Sequence, residues 1–298
     1  MADVGGYLVG RISGTWPTAT TAATDMLFAA IRKDGETIEG SEFKHCTFAN
    51  VSFKEVVLKQ CRFTDCVFLS CYFRKCQMVG ASFIGCKFID CDFPKAAVQS
   101  CDFKYSHFES CSIPFAEMEH SLPREPNLRE ELAHELAIAS DVRGHGADGR
   151  RYRLAAIQAR EEHLYAAILG SSEWYRSHYS GLRKVEALCQ FVASKTNGFI
   201  WGHGEKWSVI VRNLAALVLV VFPTALWFAR SGLEHKSGEL SFGDLLWLSA
   251  TTIVPVGGVI SVVATNWLSR AILTLESFIG VVAAGLLVTL LVRRMLMR

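Results

Sequence analysis

At 298 residues, half of them apolar, the chain is long enough for two or three domains. Its formal net charge of +2 excludes a strongly acidic or strongly basic protein and says little more. The positive mean hydropathy, +0.23, points to at least one domain that is not water-soluble.

The opening stretch, MADVGGYLVGRISGTW, has no apolar core long enough for a signal peptide, so the N-terminal two thirds is expected to stay where it is made. Residues 1–35 show little pattern. They are expected to cap one end of the repeats that follow, which would otherwise expose unpaired strand edges.

Residues 36–120 carry a period of five. Nine of the ten cysteines, Cys46, Cys61, Cys66, Cys71, Cys76, Cys86, Cys91, Cys101 and Cys111, fall on one phase. Where that phase lacks cysteine it holds Ser41, Val51, Val56, Ala81, Ala96 or Ser106. Two positions later comes a large apolar residue, from Phe43, Phe48 and Phe53 through Phe63, Phe68 and Phe73 to Phe103, Phe108 and Ile113. Five fits neither a helix nor a flat strand, and a short fixed period marks a solenoid. The spacing lacks the close pairs that tetrahedral zinc requires, and a reducing cytosol keeps thiols free, so cysteine reads here as a compact buried hydrophobe. No metal or other cofactor is expected.

These residues resemble the pentapeptide-repeat family, whose fold is a right-handed, four-sided β-helix. The resemblance implies that each pentapeptide forms one side, with the large residue and the small residue two before it both pointing inward. From Ile38 to Met118 there are 17 units, hence about four coils and a stack of roughly 20 Å. Some members of the family mimic DNA and inhibit type II topoisomerases, a role that demands an acidic surface. Between Ile38 and Met118 nine Lys or Arg stand against nine Asp or Glu, so neither DNA mimicry nor a nucleic-acid partner is expected.

Residues 121–206 read as a cytoplasmic helical linker. A first helix is predicted over NLREELAHELAIAS, with Leu128, Leu132, Leu136 and Ile138 on one side. A second follows the turn GHGADG, from Tyr152 to Leu169, and a third runs from Gly181 to Ser194 with Leu182, Val185, Leu188 and Val192 on one face. His134 and His163 have no paired ligand at metal spacing and read as surface or packing residues.

Residues 207–298 hold two apolar runs: Val209 to Ala229, interrupted by Arg212 and Asn213, and Ala271 to Val292, interrupted by Glu276. Each covers roughly 30 Å as a helix, about one hydrocarbon core, and both read as transmembrane helices. Lys206 and Arg212 flank the first, Arg293, Arg294 and Arg298 follow the second, and the loop between is mildly acidic, so both termini are expected in the cytoplasm. Within that loop an amphipathic segment, FGDLLWLSA, leads into TTIVPVGG. Asp244 stands near the start of the segment, where a carboxylate meets the positive end of a helix dipole. Two helices and a tight turn would serve as a plain anchor. An anchor, however, gains nothing from an amphipathic segment or from Glu276 at membrane depth, where a carboxylate is costly and functional by default.

The order of helix, outer loop, short helix, irregular stretch and helix resembles the pore of the two-transmembrane potassium-channel superfamily. The agreement includes Ser249, Thr251 and Thr252 before the filter, Arg270 at the start of the inner helix, Glu276, and Gly280 where that family often places a hinge. FIWGHGEKW resembles the Gly-aromatic-Gly junction of pentapeptide-repeat proteins joined to a two-helix channel module, with His203 where tyrosine is usual. The resemblance implies a pore helix, FGDLLWLSATT, and a filter loop formed by Thr251, Thr252, Ile253, Val254, Pro255, Val256, Gly257 and Gly258. It also implies a homotetramer in the inner membrane, spanning the lipid bilayer more than once and passing ions, monovalent cations foremost. Glu276 either faces the cavity or braces the filter; Gly280 and Gly285 are hinges or packing positions.

The filter departs from the family's Thr-Val-Gly-Tyr-Gly. Pro255 fixes φ, and Val254 and Val256 resist the positive φ that points carbonyls inward, which argues for a non-selective, wider or anion-tolerant pore. The expected protein is thus multi-domain: a β-helix, an α-helical linker and an α-helical two-transmembrane pore domain with a re-entrant loop. Its expected function is that of an ion-channel subunit. The alternative is a membrane-anchored scaffold whose β-helix binds a cytoplasmic protein partner. With no nucleophile–base pair, phosphate loop or metal cluster in the sequence, enzymatic activity is not expected.

Overall fold

The computed structural model describes residues 12–13, 22–235, 240–253 and 262–296. It divides into two compact units, one ending at Phe191 and the other beginning at Val192.

The first unit is built on a β-solenoid of about four turns. Short parallel strands stack into three sheets, and the fourth side is a column of single bridges joining Arg32, Ser52, Tyr72, Asp92 and Ser112. Phe48 lies opposite Phe68, and Phe68 opposite Phe88, so one coil takes 20 residues. The period of five has a backbone cause. Each side turns into the next through a left-handed residue, as at Asn50, Glu55, Gln60 and Asp65 with φ of 53, 58, 49 and 51°. The amide at each corner donates to a carbonyl of the next coil, for example Asn50 to Leu69 and Gln60 to Val79, both at 2.9 Å.

Large side chains fill the bore. Phe28, Phe48, Phe68, Phe88 and Phe108 form one column, with successive ring centroids 5.2, 4.8, 4.7 and 4.7 Å apart. The nine cysteines on the repeat phase are buried free thiols. Those of Cys61, Cys71, Cys91 and Cys111 donate to the carbonyls of Ile38, Phe48, Phe68 and Phe88 at 3.2, 3.3, 3.4 and 3.4 Å, so each also ties one coil to the preceding one. Burial pushes the thiol of Cys76 up to about 12 and that of Cys101 up to about 11, which keeps both protonated and unreactive.

The coil begins before residue 36. Ala22–Thr24 pairs with Glu42–Lys44, Met26–Ala29 continues the sheet of Thr47–Ala49, and Phe28 is buried in the core. The sequence is quiet there because Lys33 takes the phase of a phenylalanine; it is held by Glu36 at 3.1 Å. At the other end the strands stop after Ser112, and Pro114 leads into a short helix, α1 (Phe115–Met118).

Two antiparallel helices then close the C-terminal end of the solenoid: α2 (Pro126–Val142) and α3 (Gly146–Leu169). Leu132, Leu136 and Tyr152 join the core that contains Phe108, and Tyr152 donates to the carbonyl of Ile113 at 3.1 Å. Glu135 accepts from His107 at 2.7 Å and from the Phe108 amide at 3.2 Å, satisfying a strand edge that would otherwise be bare. Ile138, expected on the packed side of α2, is exposed, because it lies two residues beyond Leu136 and so falls off that stripe.

After α3 come α4 (Glu173–His178) and the start of α5 (Leu182–Trp201). His163 packs here between two phenols, its ring nitrogens 2.9 Å from the hydroxyls of Tyr175 and Tyr179. Leu182, Val185, Leu188 and Val192 do share one face of α5, but that face is exposed; Ala187 on the other side is the buried residue.

The second unit is helical. After a turn at Gly202–Gly204, α6 (Trp207–Ala216), a π-helical turn (Leu217–Val221) and α7 (Phe222–Phe228) run on as one rod. Then come a short strand (Leu233–His235), α8 (Phe242–Ile253), a second strand (Val262–Ala264) antiparallel to the first, and α9 (Trp267–Leu296). Trp207–Phe228 and Trp267–Thr289 are long and apolar enough to cross a membrane, with mean hydropathies of 2.1 and 2.2.

Truncating one ring in the middle of the stack leaves a cavity that the coils cannot collapse into. Phe68→Ala is expected to cost about 3–5 kcal/mol, read as a lowered midpoint in denaturant unfolding of the intact chain. Burial depresses the His163 imidazole below its ordinary value of 6.5. The unfolded chain therefore takes up this proton first as pH falls, so the stability held above about 6.5 is lost as pH drops through the lower folded value. NMR titration of His163 should give a midpoint below that of a free histidine.

Candidate functional site

The site sits where α7, α8 and α9 meet, and its geometry starts from one proline. In the π-helical turn the amide of Phe222 donates to Leu217, five residues back. The next amide in that register would serve Val218, but residue 223 is Pro223 and has no N–H. The Val218 carbonyl is taken instead by the hydroxyl of Ser249 from α8, at 3.1 Å. The same hydroxyl bonds Oε1 of Glu276 on α9. Three helices thus converge on one serine.

Ser249 and Glu276 are both fully buried. Oε2 of Glu276 has no hydrogen-bond partner among the described residues. Buried polar atoms of native proteins are nearly always paired, so this oxygen marks a position where a donor is to be expected.

A turn further along α9, Gly280 is packed on the end of α8. A Cβ placed on Gly280 would overlap the carbonyl oxygen of Ile253 and lie 2.9 Å from its Cα. Only glycine permits that approach. At Gly285, by contrast, a Cβ would meet nothing within 4 Å. Gly280 is therefore a packing position, whereas Gly285 lies in open space.

The entry to α8 is capped locally: the amide of Ser241 donates to Asp244 at 2.9 Å, and the amide of Asp244 donates back to the Ser241 carbonyl at 3.1 Å. The predicted pore helix, FGDLLWLSATT, is helical throughout and extends one residue further, to Ile253. Thr251 and Thr252, expected both to end that helix and to open the filter, form its last turn together with Ile253. The Thr251 hydroxyl lies 3.0 Å from the carbonyls of both Trp247 and Leu248, and that of Thr252 donates to Leu248 at 2.8 Å; these back-bonds fix both side chains on the helix. Val254, Pro255, Val256, Gly257 and Gly258 lie outside the described residues.

The ends of the two rods that the intervening segment connects are joined as well. Strand pairing sets Glu234 opposite Val263, and the carbonyl of Gly232 accepts from Ser269 at 2.9 Å and from the Thr265 amide at 2.9 Å. Arg270 donates through Nε to the carbonyl of Ala264 at 2.9 Å.

At the other end of the first rod, Gly202, His203 and Gly204 are all left-handed, with φ of 58, 56 and 71°. The turn is closed by Asn213 of α6, which donates to the carbonyls of Phe199 and Ile200 at 2.6 and 3.0 Å and so caps α5. Sequence reasoning singled out Ser249, Glu276 and the junction, but not the parts played by Asn213, Val218 and Pro223. The signal for the last was present: a proline inside an apolar run frees a carbonyl and calls for a donor elsewhere.

Comparison with known proteins bears on the repeats. A family model described as pentapeptide repeats (9 copies) matches residues 37–97. Among solved structures, a trypsin-treated form of QnrB1, a plasmid-mediated fluoroquinolone resistance protein, is 21% identical with a TM-score of 0.27, the match covering 35% of this chain and 59% of that one. HetL, a pentapeptide repeat protein involved in heterocyst differentiation regulation from the cyanobacterium Nostoc sp. strain PCC 7120, is 8% identical with a TM-score of 0.21, covering 34% of this chain and 45% of HetL. This chain thus spans about half the length of each. A comparison with curated proteins finds no match. The chain carries a pentapeptide-repeat β-solenoid followed by a helical region with two helices apolar enough to span a membrane.

The tight seat of Gly280 makes two alanine variants diverge. Gly280→Ala is expected to push α9 off α8 and lower the thermal midpoint in detergent by several degrees. Gly285→Ala, with space around it and alanine the better helix former by about 1 kcal/mol in water, should leave that midpoint unchanged or slightly raised.

Proposed function

We propose that this protein is the subunit of a membrane ion channel, with a cytoplasmic solenoid and a potassium-channel-like pore. The reading is carried by the contact between Ile253 and Gly280. Gly280 lies roughly 20 Å along α9 from Trp267, well past the midpoint of a hydrocarbon core of about 30 Å. The strand pair Leu233–His235 and Val262–Ala264 lies at the end of both apolar helices where the first stops and the second starts. On this reading α8 enters from that side, stops at depth, and the chain is back beside the strand pair at Val262. A twelve-residue helix is too short to cross. Non-helical backbone at such depth is tolerated only when it is buried in protein or lines a water-filled cavity.

Glu276 then braces the re-entrant segment from behind. Its full burial against Ser249 within one chain supports that role over a place on the cavity wall. One chain supplies one re-entrant segment, so a closed pore needs several copies, and the resemblance gives four. Pro255 and its valine neighbours argue for a conductance that does not select potassium.

Purified protein in a planar bilayer, with potassium on one side and sodium on the other, is expected to give currents reversing near zero. Reversal near the potassium equilibrium potential would overturn the steric argument from Pro255. Silence at every voltage, with a cellular phenotype that survives bulky replacements of Thr251 and Thr252, would favour the scaffold. Crosslinking in membranes that yields only monomers would defeat the assembly.

A further inference from the structure

We propose that α5 lies in the membrane–water interface and binds lipid through its exposed face, an inference that rests on reading the two apolar helices as membrane spans. Leu182, Val185, Leu188, Val192 and Phe199 are 87, 56, 46, 53 and 70% exposed. Their spacing sets them in one stripe along the whole helix. The opposite side of α5 already has its partners: Ala187 is buried with Leu164 and Ala167, and the ring of Phe191 lies 5.9 Å from that of Tyr165. The stripe is a second apolar face on a helix whose first face is satisfied, and apolar surface of this extent on a protein marks an interaction site.

Lipid is the occupant that the local geometry favours. α5 ends at Trp201, and the first apolar span opens at Trp207. Asn213 and Arg212, in the second turn of that span, hold the end of α5: Asn213 caps its last carbonyls, and the Arg212 guanidinium stands 5.9 Å from the Phe199 ring. The C-terminal end of the stripe is therefore fixed beside the first turns of a helix whose own apolar surface belongs in lipid. Lys184 falls along one edge of the stripe, where its stem can lie on the acyl boundary while its ammonium group reaches headgroup phosphates. Trp201 and Trp207 bracket the turn, and tryptophan concentrates at this depth of a membrane. An apolar stripe with a lysine at its edge and tryptophans at its end is the chemistry of a helix that lies along an anionic lipid surface.

Cys189 supplies the probe. It is exposed on α5 next to the stripe, and the other nine cysteines are buried. The full-length protein, labelled there with an environment-sensitive fluorophore, is reconstituted into vesicles of phosphatidylcholine and phosphatidylglycerol. The expected result is a blue-shifted emission, with quenching by headgroup-proximal nitroxide lipids at least about twofold stronger than by aqueous iodide. The double variant Val185→Glu, Val192→Glu should reverse that preference. Three results overturn the proposal. If the protein resists alkaline extraction but the label is quenched by iodide alone, α5 faces water while the spanning helices stand. If the label is shielded from both quenchers and, in unlabelled protein, Cys189 crosslinks between copies, the stripe is a subunit contact. If alkaline carbonate strips the protein from the vesicles, the spans themselves fail, and the interfacial helix with them.

Discussion

Every buried amide and carbonyl must find a partner, and this chain meets that constraint in two ways that shape everything else. In the solenoid most partners lie in an adjacent coil, with tight turns such as Val56 to Phe53 closed within one coil. Corner amides, strand amides and even cysteine thiols donate to carbonyls of an adjacent turn, so no coil is complete alone. In the helical unit most partners lie within the same helix, and the exceptions mark where helices must meet. Pro223 withholds an amide from Val218, and Ser249 supplies the hydroxyl. The last carbonyls of α5 lack intrahelical donors, and Asn213 supplies both.

From these exceptions follows the close packing of α8. With Ser249 held between Val218 and Glu276, the helix is pinned along its length, and Ile253 comes to rest against α9 at the one residue that has no side chain to obstruct it. The missing Cβ and the missing N–H are complementary devices. Gly280 lets backbone touch backbone, and Pro223 makes a backbone group available to a side chain. Neither would be needed by two helices serving only to hold a domain at a membrane.

The repeat region was legible in the sequence because its physics is local and repeated: one phase for the bore, one for the small residue beside it, one for the corner. Legibility failed where an outlier occupied a phase, as Lys33 does, and the coil runs on through residues 22–35 regardless. In the helical linker periodicity gave the right elements with uncertain faces. Leu182 to Val192 have the pattern of a packed stripe, and nothing in that pattern says whether protein or another medium will cover it. In the second unit, composition gave the two long apolar helices. The partners of Ser249, Glu276 and Asn213 were beyond reach because each lies on a different helix, at separations of 31, 27 and 14 residues.

The links from α5 to α9 share one property that bears on gating. At Asn213 to Phe199, Ser249 to Val218 and Gly280 to Ile253, at least one partner is main chain. A contact between two flexible side chains can absorb a displacement by changing rotamer, whereas a contact to backbone shifts the helix that carries it. Under the channel reading, a rotation of α5 in the interface would therefore pass through its cap into α6, through Val218 and Ser249 into α8, and through Ile253 into the middle of α9. The left-handed turn at Gly202, His203 and Gly204 is compatible with that path because Asn213 bridges it, so the bend sets a direction without breaking the connection.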